Sequence, residues 1–88
     1  MAAYRVEIAT RAGRDLERLA PSLLDRIDRV LRALADDPRP PTSEKLVGLD
    51  AYRIRVGDHR VIYEIDDRER SIVVSRVRHR REVYRQLR

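Results

Sequence analysis

Tyr52-Arg53-Ile54-Arg55-Val56-Gly57-Asp58-His59-Arg60-Val61-Ile62-Tyr63-Glu64-Ile65 is the stretch whose reading decides the fold. Apolar and charged residues alternate with a period of two on both sides of Gly57-Asp58, as they do in strands with one buried face. A glycine at the first of two loop positions is the Gly-X signal of a tight hairpin, and a two-residue loop fixes the register. Val56 then pairs with His59, Arg55 with Arg60, Ile54 with Val61, Arg53 with Ile62 and Tyr52 with Tyr63. In that register Tyr52, Ile54, Val56, Val61, Tyr63 and Ile65 share a core face, and Arg53, Arg55 and Arg60 share the opposite one.

Working outward, Asp66-Asp67-Arg68-Glu69-Arg70 reads as a charged turn and Ser71–Val77 as a further strand. Its unbroken Ile72-Val73-Val74 run suits a strand inside the sheet. Upstream, Tyr4, Val6 and Ile8 alternate with polar residues as a first strand. Thr10 offers a cap to a short helix over about 11–19, with Leu16 and Leu19 inward. Pro21 and Ser22 open a second helix, where Ser22 and Asp25 have capping-box spacing. Leu23, Ile27, Val30, Leu31 and Leu34 form its apolar stripe, with Asp25–Arg29 and Asp28–Arg32 paired outside. Asp36-Asp37-Pro38 ends that helix, and the stretch to Asp50 reads as a long loop carrying Lys45, Leu46 and Gly48. The expected fold class is α+β. An N-terminal strand and a two-helix hairpin are followed by a three-stranded antiparallel meander that completes a four-stranded sheet.

At 88 residues the chain is one domain, spanning 1–88. Its apolar fraction of 42%, without Phe or Trp, is rich in Leu, Ile and Val and suits a folded core rather than disorder. No cysteine is present, which excludes disulfides, thiolate metal sites and cysteine nucleophiles and fits a reducing cytosol. Only two histidines occur, His59 and His79, with no H-x-x-x-H spacing; no metal and no cofactor are expected. No apolar run of about 18 residues and no apolar leader segment occur, so a cytoplasmic protein without membrane attachment is expected.

The net charge of +5 is unevenly placed. Residues 1–50 balance nine basic against nine acidic side chains, while residues 51–88 carry eleven arginines against six acids. Arginine's planar fork matches phosphate and its face stacks on bases, so a polyanionic partner is implied. On the predicted hairpin, Arg55 lies directly opposite Arg60, an arrangement that destabilises a sheet and that no core requirement explains. Two readings stand: an anion-binding face, or a solvated network in which Glu64, diagonal to Arg53, and nearby aspartates neutralise the cluster. His79, among Arg78, Arg80 and Arg81, is either structural or a group that exchanges protons. Tyr84 lies four residues beyond Arg80, placed either to stack on a base or to anchor the tail.

The hairpin stretch, together with Val77-Arg-His-Arg-Arg-Glu-Val-Tyr-Arg85, Ala12-Gly-Arg-Asp-Leu-Glu-Arg-Leu19 and Lys45-Leu46-Val-Gly48, resembles the RelE branch of the RelE/ParE toxin superfamily of type II toxin–antitoxin systems. The resemblance covers nearly the whole chain. It implies a helix hairpin on an antiparallel sheet, and a metal-independent endoribonuclease that cuts mRNA in the ribosomal A site. It also implies a cognate acidic, RelB-like antitoxin, with the ribosome and mRNA as further partners. By position, Arg53 and Arg55 stand where RelE toxins carry basic residues that contact phosphate, and Arg60 and Arg80 where arginines stabilise the transition state and leaving group. Tyr84 matches a substrate-stacking tyrosine, and His79 a variable basic position. The reaction implied is 2′-OH attack on phosphorus, giving a 2′,3′-cyclic phosphate. Some members carry lysine where this chain has Arg53 and Arg55; arginine is a poor general base, so the base is open among His79, Glu64 and electrostatic lowering of the 2′-OH pKa. Two other functions compete: inhibition of DNA gyrase, as in ParE toxins, and a non-catalytic basic nucleic-acid-binding module.

Overall fold

The computed structural model describes residues 3–48 and 50–80. Its elements are β1 (Arg5–Ile8), α1 (Thr10–Glu17), α2 (Pro21–Asp36), β2 (Ser43–Lys45), β3 (Ala51–Val56), β4 (His59–Asp66) and β5 (Ser71–His79). One mixed sheet runs β1-β5-β4-β3-β2. The α+β class and the antiparallel meander β3-β4-β5 stand as read, and β1 adds to β5 in parallel, with Val6 beside Ile72.

The β3–β4 hairpin has the register given by its turn, from Val56 opposite His59 to Tyr52 opposite Tyr63. Gly57 takes φ 60° while Asp58 keeps a negative φ, the pattern of a type II′ turn. Side chains of Ile54, Val56, Val61 and Tyr63 are buried against Ile27, Leu31 and Leu34 of α2 and Ala12 of α1. Tyr63, fully buried, donates its hydroxyl to the Pro38 carbonyl at 2.9 Å, which satisfies the one polar atom this ring brings into the core.

Among the described residues the sheet has five strands, one more than the sequence pattern suggests. The extra strand, β2, lies within the stretch read as a loop and pairs Ser43, Glu44 and Lys45 with Ile54, Arg53 and Tyr52. It is short, polar and on the sheet edge, where charged side chains discourage further pairing, so it carries no apolar alternation to reveal it. Both helix caps also differ from expectation. Ala9 and Ala20 occupy the N-cap positions, Thr10 lies inside α1, and Pro21 takes a first-turn position ahead of Ser22. Proline's fixed φ starts α2 without a side-chain cap.

β5 holds the arginine-bearing end of the molecule. Its pairing with β4 shifts between Ile62, opposite Arg76, and Tyr63, opposite Val74, which leaves Ser75 as a bulge. The Ser75 hydroxyl donates to the Ile62 carbonyl at 3.1 Å. One extra residue in a period of two moves the core phase from Ile72 and Val74 to Val77. The β1–β5 pairing ends at Ile8 and Val74, and from there α1 takes over the edge. Asp15 accepts the Val77 amide at 2.9 Å and the Arg76 guanidinium at 2.9 and 3.2 Å. Burial works against the ionised Asp15, but these donors outweigh it and hold its carboxyl below the usual carboxylate range.

Candidate anion-binding face

The register that buries Val61 turns Arg60 to the far side of the sheet, directly opposite Arg55 on β3 and Arg78 on β5. Three guanidinium-bearing residues thus form a row across three central strands. The sequence pattern marks Arg78 only as a neighbour of His79. The bulge at Ser75 sets its position. The Ile72-Val73-Val74 run followed by Val77 was the available signal, since both phases of one strand cannot face the core without an insertion.

Thr42, Glu44, Arg53, Arg55 and Arg60 line one cavity of about 90 Å³ on this face. Arg53 is committed within it: Glu44 Oε2 accepts from Arg53 Nη2 at 2.7 Å and Nε at 3.1 Å. Hydrogen bonding and charge from Arg53, with a smaller contribution from Arg60, hold the Glu44 carboxyl below its ordinary value. Arg55 donates through Nε to the Gly57 carbonyl at 3.2 Å. Arg60 differs from both, because its Nη1 is buried and has no hydrogen-bond partner among the described residues. Such a stranded, charged donor is the strongest structural sign of a missing acceptor.

Glu64 is not the counter-ion of this cluster. It stands opposite Ala51 and lines a separate acidic cavity of about 310 Å³ with Asp50 and Asp66. Glu44 takes that role from the edge strand the sequence did not reveal.

The remaining candidates are dispersed. His79 is the register partner of His59, in phase with Val61 and Val77, and so belongs to the helix side of the sheet. There it lines a cavity of about 180 Å³ with Asp15, Arg18, Leu19, His59 and Val77. The structure does not bring it to the arginine row. Arg80, exposed, follows β5 and ties the chain to the hairpin turn through its backbone amide, which donates to the Asp58 carbonyl at 2.8 Å. Tyr84 lies outside the described residues. Among the described residues no group of three His, Asp or Glu is arranged to hold a metal ion, and no helix is long and apolar enough to cross a membrane.

A family profile described as "ParE toxin of type II toxin-antitoxin system, parDE" matches residues 6–84. The chain belongs to the RelE/ParE toxin superfamily. Toxin RelG of Mycobacterium tuberculosis is 34% identical over 86 residues, covering 93% of this chain and 97% of that protein. Among solved structures, the RelBE2 toxin–antitoxin complex of M. tuberculosis is similar at 31% identity and TM-score 0.80, over 91% of this chain and 94% of that one. The RelE–RelB complex of Pyrococcus horikoshii is similar at 30% identity and TM-score 0.81, over 89% and 96%. In this RelE/ParE toxin the fold carries an arginine row, Arg55, Arg60 and Arg78, with a buried Arg60 nitrogen that has no hydrogen-bond partner among the described residues.

Proposed function

We propose that this RelE/ParE toxin is a ribosome-dependent mRNA endonuclease whose arginine face receives the scissile phosphate. The observation that carries the reading is Arg60: a buried guanidinium nitrogen without a hydrogen-bond partner among the described residues, flanked by Arg55 and Arg78 as its register neighbours. A non-bridging phosphate oxygen supplies the acceptor that Arg60 Nη1 lacks among the described residues, once the side chains that cover this nitrogen turn aside. Negative charge that develops on the non-bridging phosphate oxygens is stabilised by the guanidinium groups of this row.

The reaction is attack of a ribose 2′-oxygen on the adjacent phosphorus, with cleavage of the P–O5′ bond. It leaves a 2′,3′-cyclic phosphate and a 5′-hydroxyl, the departing oxygen taking a proton from water. Alignment of the 2′-oxygen with the leaving group is the largest service such a rigid sheet provides. Of the base candidates, His79 is on the other face and Glu64 is in another cavity. Glu44 is the carboxylate that lines the arginine cavity, and we assign it to accept the 2′-OH proton. Arg53 fixes its orientation, and its hydrogen bond and charge hold the Glu44 carboxyl below its ordinary value. Arg55 and Arg78 contact phosphate, Arg80 stabilises the leaving oxygen, and Tyr84 stacks on a substrate base, as the family resemblance implies.

The similar structures of M. tuberculosis and P. horikoshii are complexes with antitoxins. An acidic antitoxin of that kind is the proposed partner here, drawn to the arginine-rich C-terminal part of the chain. The family profile is described by ParE, which keeps gyrase inhibition as the second reading. Incubation of the purified protein with defined mRNA on ribosomes holding an empty A site separates the two. Cuts at the A-site codon, only with ribosomes and ending in a 2′,3′-cyclic phosphate, are the expected result. Intact mRNA together with inhibited gyrase supercoiling would overturn the nuclease assignment.

A further inference from the structure

The turn that leads into β2 reads Pro40-Pro41-Thr42-Ser43, and local chemistry sets its conformation. Pro41 holds the second turn position at the φ such a turn requires. The Pro40 carbonyl accepts from the Ser43 amide at 2.9 Å and from the Ser43 hydroxyl at 2.8 Å, so the turn is closed twice. One residue upstream, Arg39 donates to the two Asp67 carboxylate oxygens at 3.2 and 3.0 Å and to the Tyr52 hydroxyl at 3.0 Å. Its guanidinium also lies 5.4 Å from the centre of the Tyr52 ring. Thr42 is therefore carried on a segment anchored on both sides.

Ser43 stands opposite Ile54, so Thr42, the residue before it, lies beside Arg55 and in phase with Glu44. It lines the cavity of about 90 Å³ with Glu44, Arg53, Arg55 and Arg60, and brings the neutral hydroxyl to that charged set. At about 30 Å³ of liquid volume per water, the space matches a single tetrahedral oxyanion and is too small for a nucleobase. We infer that Thr42 is a substrate-contacting residue, whose hydroxyl donates to a non-bridging oxygen of the phosphate received by Arg55 and Arg60. Serine and threonine hydroxyls are among the ordinary donors to nucleic-acid phosphates. Glu44 shares the cavity, but its carboxylate accepts from Arg53 at 2.7 and 3.1 Å, which offsets its repulsion of an anion. The inference rests on the reading that this face receives an RNA phosphate, and adds to it a directional, uncharged donor at the β2 end of the arginine row.

Thr42→Val exchanges the hydroxyl for a methyl of the same shape at an exposed position, and Thr42→Ser keeps the hydroxyl. Binding of the full chain to a labelled single-stranded RNA, without ribosomes, is followed by fluorescence anisotropy over a series of salt concentrations. Thr42→Val is expected to weaken binding about tenfold, and Thr42→Ser to bind as the wild type does. The slope of log affinity against log salt is expected to stay unchanged in Thr42→Val, because a neutral donor releases no counterion, whereas Arg55→Met should lower it by roughly 0.7. Wild-type affinity in Thr42→Val, equal losses in Thr42→Val and Thr42→Ser, or a slope altered by Thr42→Val would overturn the inference. The readout is binding and not cleavage, so the two readings fail separately. A wild type that binds no RNA defeats the reading of the whole face, while a wild type and a Thr42→Val variant that bind equally well defeat the role of Thr42 alone.

Discussion

Replacing Arg60 by Met keeps most of the aliphatic stem and removes the guanidinium. The structure sets opposite signs for the effects on stability and on binding. Arg60 Nη1 is buried without a hydrogen-bond partner among the described residues, a condition that costs about 1–3 kcal/mol. Arg60 also faces Arg55 and Arg78 directly across the ladder, and each like-charge pair costs some tenths of a kcal/mol up to about 1. Removing these terms against a small loss of stem packing leaves a net gain of about 1–2 kcal/mol. For a domain of this size that is a rise in melting temperature of about 5–15 °C. Anion binding moves the other way. A hydrogen bond to a charged group is worth about 1.5–3 kcal/mol, so affinity for an RNA oligonucleotide falls about 10–150-fold, and toxicity is abolished. The assays are thermal unfolding at low and moderate salt, fluorescence anisotropy with labelled RNA, and growth on induction. A variant that melts below the wild type, or that binds RNA and arrests growth as the wild type does, would refute the reasoning.

Other outcomes follow from the same geometry. Asp15 has a carboxyl held below its ordinary value, so its contribution is present above an unfolded value of about 3.9 and is lost as pH falls through the lower folded value. Asp15→Asn should flatten the stability profile below about pH 4, and Asp15→Ala, which removes the acceptor of the Val77 amide and the carboxylate that pairs with Arg76, should cost about 2–3 kcal/mol in urea unfolding. Gly57→Ala forces an L side chain into φ 60° and brings its Cβ within 3.3 Å of Arg26 Nη1. Because that arginine end is flexible, backbone strain dominates, and a loss of more than about 1 kcal/mol is expected in the same experiment. Glu44→Gln releases Arg53 from its counter-ion. RNA binding should tighten and its salt slope steepen by roughly 0.7 for one added phosphate contact, while the proposed cleavage on ribosomes should fall with the loss of its proposed proton acceptor.

The hairpin was legible because a two-residue turn and a period of two together admit one register, and that register fixes which face carries Arg53, Arg55 and Arg60. The helices were legible from the stripe of Ile27, Leu31 and Leu34, although their starts were not, since Ala9 and Ala20 cap neither helix by side chain. What escaped had no local pattern. β2 is a polar edge strand that buries almost nothing, so the pairing of Glu44 with Arg53 had to wait for the sheet. Arg78 and His79 were sorted to opposite faces by one bulged residue at Ser75, and only the cross-strand pairing brings His79 to His59.

The most direct test of the account asks which face of the sheet meets RNA. Backbone and guanidinium NMR signals of the full chain, followed during titration with a short single-stranded RNA, report on both faces at once. The account predicts that Arg53, Arg55, Arg60 and Arg78 shift together and saturably, with Val6, Leu31 and the other residues of the β1–α2 side unmoved. Shifts confined to the helix side, or spread evenly over the surface with no saturation at Arg60, would contradict it.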